Sequence, residues 1–90
     1  MREVVRSTAF KKDIKRAEKR GKDMGRLRAV ILLLIADQPL ETRHRDHPLK
    51  GAWLGYRDLH IEPDWVLFYR ANETELFLAR TGTHSDLFGE

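Results

Sequence analysis

Within nine residues, the stretch Arg80-Thr81-Gly82-Thr83-His84-Ser85-Asp86-Leu87-Phe88 brings together a fixed cation, a group that titrates near neutral pH and an aromatic ring. The planar guanidinium fork of an arginine clamps phosphate. An imidazole takes or gives a proton near neutral pH. An aromatic ring stacks on an unpaired base. Together these are the groups needed to cut an RNA phosphodiester bond. Three more histidines, His44, His47 and His60, come earlier in the chain. His60 follows Asp58 by two residues and precedes Asp64 by four. A carboxylate beside it would fix its tautomer and raise its pKa. His47 is followed by Pro48, which holds the preceding residue extended.

The same residues have plainer readings. Exposed histidines are common surface groups. Arg80 suits a strand-end ion pair with Glu75 or Asp64, and Phe88 could anchor the chain end. In so small a domain, at least one of Trp53 and Trp65 belongs to the core. Three histidines and an aspartate are also zinc-ligand types. However, His44-x-x-His47 does not lie on a helix, and no His-Glu-x-x-His motif occurs. Neither Ser7 nor Ser85 sits in a nucleophile-elbow context. The absence of cysteine removes disulfides, thiolate metal sites and thiol nucleophiles, and fits a cytoplasmic protein.

These side chains need elements to hold them. Val4-Val5 within Arg2–Arg6 predicts a first strand. Ser7 or Thr8 offers an N-cap, and Phe10, Ile14 and Ala17 recur at helical spacing up to Gly21. Asp23 caps a second helix with Met24, Leu27, Ile31 and Leu34 along its apolar stripe, ended by Asp37-Gln38-Pro39. Residues 43–54 are polar and turn-rich. Tyr56 to Ile61 alternates, Trp65 to Arg70 is aromatic and branched, and Glu75 to Thr81 forms the next strand. The turns Glu62-Pro63-Asp64 and Asn72-Glu73-Thr74 are short, which predicts an antiparallel meander. The expected architecture is α+β, with an N-terminal strand and a two-helix hairpin on one sheet face. The helices are expected to cover Leu59, Ile61, Val66, Phe68, Leu76 and Leu78. The opposite face, with Tyr56, Asp58 and His60, is expected to stay open.

Ninety residues predict one domain spanning 1–90. No apolar run is long enough for a membrane span, and no secretory leader is evident. The net charge of +3 is unevenly spread. Residues 1–29 carry eleven Lys and Arg against four Asp and Glu, whereas the rest is net acidic. Such a basic segment suits a polyanion or an acidic protein partner, or simply a solvated helix face.

Two long segments carry a family resemblance. The first runs Asp46-His47-Pro48-Leu49-Lys50-Gly51-Ala52-Trp53-Leu54-Gly55-Tyr56-Arg57-Asp58-Leu59-His60-Ile61-Glu62-Pro63-Asp64-Trp65-Val66-Leu67-Phe68-Tyr69. The second is the Arg80–Phe88 stretch. Both resemble the YafQ toxins, a branch of the RelE/ParE superfamily, and Lys19-Arg20-Gly21-Lys22-Asp23-Met24 is similar as well. The resemblance covers essentially the whole chain. It implies a RelE-like fold and a bacterial type II toxin that cuts mRNA in the ribosomal A site. It also implies neutralisation by a cognate antitoxin.

Carried over residue by residue, the loop histidine of that pattern is His47, the strand histidine His60 and the turn carboxylate Asp64, followed by Trp65. The phosphate-handling arginine is Arg80, the terminal histidine His84 and the base-contacting aromatic Phe88. His44 lies outside the pattern and reads as a surface residue. The expected chemistry is metal-independent and needs no cofactor. His84 is the candidate base and His47 the candidate acid, although the reverse is open. Arg80 stabilises the phosphorane, and Trp65 and Phe88 contact RNA. Lys11, Lys15 and Lys19 would grip 16S rRNA. The rival expectation is a ParE-type toxin acting on DNA gyrase, a role that does not need this set of histidines.

Overall fold

Ser7 ends one element and begins the next. Its Oγ accepts the Phe10 amide at 2.9 Å, which caps the first helix, and its hydroxyl donates to the Ala79 carbonyl at 2.6 Å. In the computed structural model, which describes residues 1–89, this residue joins β1 (Glu3–Arg6) to α1 (Thr8–Lys19). Gly21, at φ +74°, closes the helix with a left-handed residue. Asp23 then caps α2 (Met24–Ile35) by accepting the Gly25 amide.

A 3-10 turn at Thr42–His44 leads into the two-residue strand β2 (His47–Pro48), and a second such turn spans Gly51–Trp53. The meander follows as β3 (Arg57–Glu62), β4 (Trp65–Ala71) and β5 (Glu75–Gly82), before the short helix α3 (His84–Phe88). The sheet order is β1-β5-β4-β3-β2. The meander pairs antiparallel as expected. β1, however, lies parallel to β5, from Glu3 opposite Glu75 to Arg6 opposite Leu78, so the sheet is mixed.

The two helices cover one sheet face. Phe10, Ala17, Leu27, Val30 and Leu34 pack there on Leu59, Ile61, Trp65, Leu67, Tyr69, Leu76 and Leu78. Val66 and Phe68, expected under the helices, lie on the other side with Leu49 and Ala79. Register explains the difference. Leu59 pairs with Leu67 and His60 with Val66, and cross-strand partners share a face. That second face is therefore not open throughout. Trp53, Tyr56, Phe77 and Leu87 pack on it, and the β3 end remains polar, where Asp58 and His60 stand.

Candidate active site

The polar end of the second face is built from three segments: the β2 strand with the loop before it, β3 with the turn after it, and α3. Arg45, at φ 45° and ψ 42°, turns the chain just ahead of β2. Its carbonyl lies 2.6 Å from His47 Nδ1. A carbonyl only accepts, so Nδ1 carries the proton and Nε2 is the nitrogen turned toward the site. Nε2 lies 3.6 Å from Asp58 Oδ2, across the β2–β3 pairing that sets His47 opposite Asp58.

Asp58 is buried, and burial pushes its carboxyl up, although His60 and His47 pull the other way. Its Oδ1 has no protein partner, nor has the buried Nδ1 of His60. The His60 ring stands 6.0 Å from that of His47 and 5.4 Å from that of His84. The expected rise in the His60 pKa is reversed. Burial lowers it, and the opposing pull of Asp58 does not make up the difference.

His84 is the first residue of α3. Thr83 caps the helix, and Asp86 completes a reciprocal capping box. Asp64, in the β3–β4 turn, accepts both the His84 amide at 3.1 Å and its Nδ1–H at 2.8 Å. Those bonds hold the Asp64 carboxyl below its usual range. They also leave His84 Nε2 as its free lone pair. Phe88 stacks on His84, with ring centres 6.0 Å apart and planes 14° apart, and is 43% exposed. His47, His60, His84 and Phe88 thus form a continuous chain of rings, with one carboxylate behind each of His47 and His84.

Arg80 is placed differently. β1 stops opposite Leu78, so the β5 edge beyond it faces α1. There Asp13 takes Arg80 Nε at 2.6 Å and Nη2 at 3.0 Å, and also the Thr81 amide at 3.1 Å. The strand-end ion pair is real, but its partner is Asp13 rather than Glu75 or Asp64. Nη1 is the part of the fork that Asp13 leaves. The Asp13 bonds raise the Arg80 pKa further, so the cation is permanent.

Trp65 does not fit an RNA-contact role. It is 1% exposed, and its indole N–H donates to Thr81 Oγ1 at 3.0 Å. The helices enclose it because β4 starts at this residue on the helix side. Lys11, Lys15 and Lys19 are exposed on one stripe of α1. Arg16 of the same helix and Arg20 at its C-cap turn to Asp13 and Asp86 instead, and the Arg20 bond holds Asp86 far below the carboxylate range.

Three features escaped the sequence reading. His44 is buried rather than on the surface, with Nδ1 2.7 Å from the His60 carbonyl; no local pattern marks it. Asp58 is expected on the open face beside His60, but its pairing with His47 is not, because that depends on the β2–β3 register. The helix α3 was legible in Thr83-x-x-Asp86, a capping-box spacing.

The model of the family described as "Bacterial toxin of type II toxin-antitoxin system, YafQ" matches residues 2–89. The chain is 48% identical over 89 residues to the mRNA interferase toxin YafQ of Escherichia coli strain K12, covering 98% of this chain and 97% of that protein. It superposes on the toxin in the E. coli DinJ-YafQ toxin-antitoxin complex with a TM-score of 0.91 and 48% identity, covering 98% of each chain. A copper-bound mutant toxin from Helicobacter pylori gives a TM-score of 0.92 at 40% identity, over 98% of this chain and all of that one. With the fold, the length and both long motifs in agreement, this chain belongs to the YafQ family of type II toxin–antitoxin toxins.

Proposed function

We propose that this protein is an mRNA interferase, an endoribonuclease that cuts mRNA in the ribosomal A site without a metal. The observation that carries the reading is the pairing of two histidines with carboxylates, His84 with Asp64 and His47 with Asp58, on either side of His60. The RNA supplies the nucleophile. His84 Nε2 takes the 2′-OH proton, and the 2′-oxygen attacks phosphorus. The P–O5′ bond breaks, and the leaving 5′-oxygen takes a proton from His47 Nε2. The products are a 2′,3′-cyclic phosphate and a 5′-OH end.

Asp64 holds His84 in the tautomer a base needs. Asp58 stabilises the charged His47 that an acid needs. Arg80 offers Nη1 to the phosphorane, and Phe88 stacks beside the scissile bond. The stripe of Lys11, Lys15 and Lys19 holds 16S rRNA, which leaves codon choice to the ribosome. The DinJ complex of the E. coli relative supports a cognate antitoxin as partner. No helix among the described residues is long and apolar enough to cross a membrane, and the working compartment is the cytoplasm, where ribosomes are. The histidine set disfavours a gyrase-directed, ParE-like role.

The copper-bound relative raises a second question for the same residues. His47, Asp58 and His60 each offer a ligand atom, all within 4.8 Å of one another, and the set suits zinc or copper. A cation there would occupy the His47 nitrogen that delivers the proton, so it would inhibit rather than catalyse.

Primer extension on translated mRNA tests both points. The expected result is cleavage within codons that survives EDTA, is lost in His84→Ala and is suppressed by added Zn²⁺. Cleavage that EDTA abolishes would reverse the metal assignment. Intact mRNA together with signs of DNA damage would favour the gyrase reading.

A further inference from the structure

The loop before β2, together with the first residue of β2, carries two residues that face inward and two that face out. His44 and Asp46 point in. His44 Nδ1 meets the His60 carbonyl at 2.7 Å, and Asp46 accepts from Arg57 Nε at 3.0 Å and from the Tyr69 hydroxyl at 2.8 Å. Arg45 and His47 point out, joined by the 2.6 Å bond from His47 Nδ1–H to the Arg45 carbonyl. Because the His60 carbonyl can only accept, His44 is the donor. The bond falls where the β3–β4 register shifts, between His60 and Glu62. At 5% exposure His44 has no surface role, and the proposed reaction does not use it.

We propose that His44 is a positioning residue for the cleavage reaction, one buried imidazole that fixes both His47 and His60. It ties the backbone of His60 to the turn whose next residue, Arg45, sets the His47 tautomer. Two histidines from separate segments are thereby held at a constant ring separation. The proposal rests on the nuclease reading, and the test separates the two.

Three variants are compared for single-turnover cleavage of ribosome-bound mRNA and for the ¹⁵N–¹H imidazole signals of His47 and His60. His44→Leu removes the donor. His44→Asn keeps an N–H close to where Nδ1 stands, and His44→Gln moves it away. The expected loss in His44→Leu is about 10–100-fold in kcat, by analogy with the range seen when the partner that orients a metal-ligating histidine is removed. KM for the ribosome stays within roughly twofold, since phosphate contacts on α1 set that affinity. His44→Asn restores most of the rate, and the His47 and His60 signals shift in His44→Leu but not in His44→Asn.

A folded His44→Leu with the wild-type rate, or with both signals unmoved, would show that the Asp46 anchor suffices and would overturn the proposal. If His44→Leu fails to fold, the Asn and Gln pair decides, and equal rates in those two overturn it. If the unmodified protein cuts no ribosome-bound mRNA, the nuclease reading fails, while the imidazole signals still decide what His44 holds.

Discussion

Replacing Asp13 with alanine should cost more stability than any other single change to a charged residue in this fold. Asp13 is 4% exposed and accepts four bonds: two from Arg80, one from Arg16 at 3.0 Å and one from the buried Thr81 amide. A buried amide left without a partner costs about 1–3 kcal/mol, and a bond to a charged group contributes about 1.5–3 kcal/mol. Arg80 and Arg16 keep 26% and 38% of their side-chain surface in water, so they recover part of the loss by solvation. The net expectation for Asp13→Ala is about 3 kcal/mol, roughly a 15 °C fall in Tm for a domain of this size. Arg80→Ala leaves the Thr81 bond intact and should cost only about 1–2 kcal/mol, while lowering cleavage about 10²-fold or more. Urea unfolding of both variants, with cleavage assayed well below each Tm, checks the argument. A loss under about 1 kcal/mol in Asp13→Ala would refute the ledger. Cleavage equally impaired in both folded variants would mean that Asp13 also sets the geometry of Arg80 for phosphate.

Asp58→Asn should trade function for stability. Because burial raises the folded-state pKa of Asp58, its protonated form favours the fold, and that contribution is present below the unfolded pKa and lost as pH rises through the folded value. At pH 7 the asparagine variant should therefore melt a few degrees higher than the parent, a gap that closes toward pH 4, while cleaving more slowly; a lower Tm at pH 7 would contradict the sign. Truncation before His84 should abolish cleavage yet leave the far-UV circular dichroism of α1 and α2 in place, because α3 adds only Leu87 and Phe88 to the second face. Its polar ties, His84 to Asp64 and Asp86 to Arg20 and Arg16, lie at the surface, while the α1 and α2 core packs on the other face. Residual activity in that truncation would remove α3 from the site. Charge reversal at Lys11, Lys15 and Lys19 should weaken ribosome binding and flatten its salt dependence, as measured by pelleting across a salt series, and an unchanged slope would free that stripe from any RNA role.

Periodicity and capping residues made most of the fold legible. Ser7, Gly21 and Asp23 mark the helix ends, and the Pro63 and Asn72 turns mark the meander, because these signals are local. What stayed hidden is non-local. The parallel β1–β5 pairing joins positions far apart in sequence, and the face of Val66 and Phe68 depends on which β3 residue each one meets. In the candidate site, His47, His60, His84, Asp64 and Phe88 were readable as residue types, and the structure gathers them. The role of Arg80 is shared with Asp13, a helix residue nothing local connects to it. The resemblance gives Trp65 an RNA contact, whereas the phase of β4 puts it in the core. His44 gave no sign, since its meaning lies entirely in one carbonyl sixteen residues away.

The parallel seam between β1 and β5 has a consequence for how the protein is made. Glu3 finds its partner only at Glu75, and Ser7 its anchor only at Leu78 and Ala79. While the nascent chain emerges, the first strand and both helices have no central sheet to dock on. Closure is a late, long-range event, which makes folding slow compared with a hairpin of the same size. Until β5 is synthesised and docked, α3 has no platform and His84 no neighbours. If the protein cuts mRNA on the ribosome as proposed, the ribosome that translates its message meets no complete site until the last strand is in place.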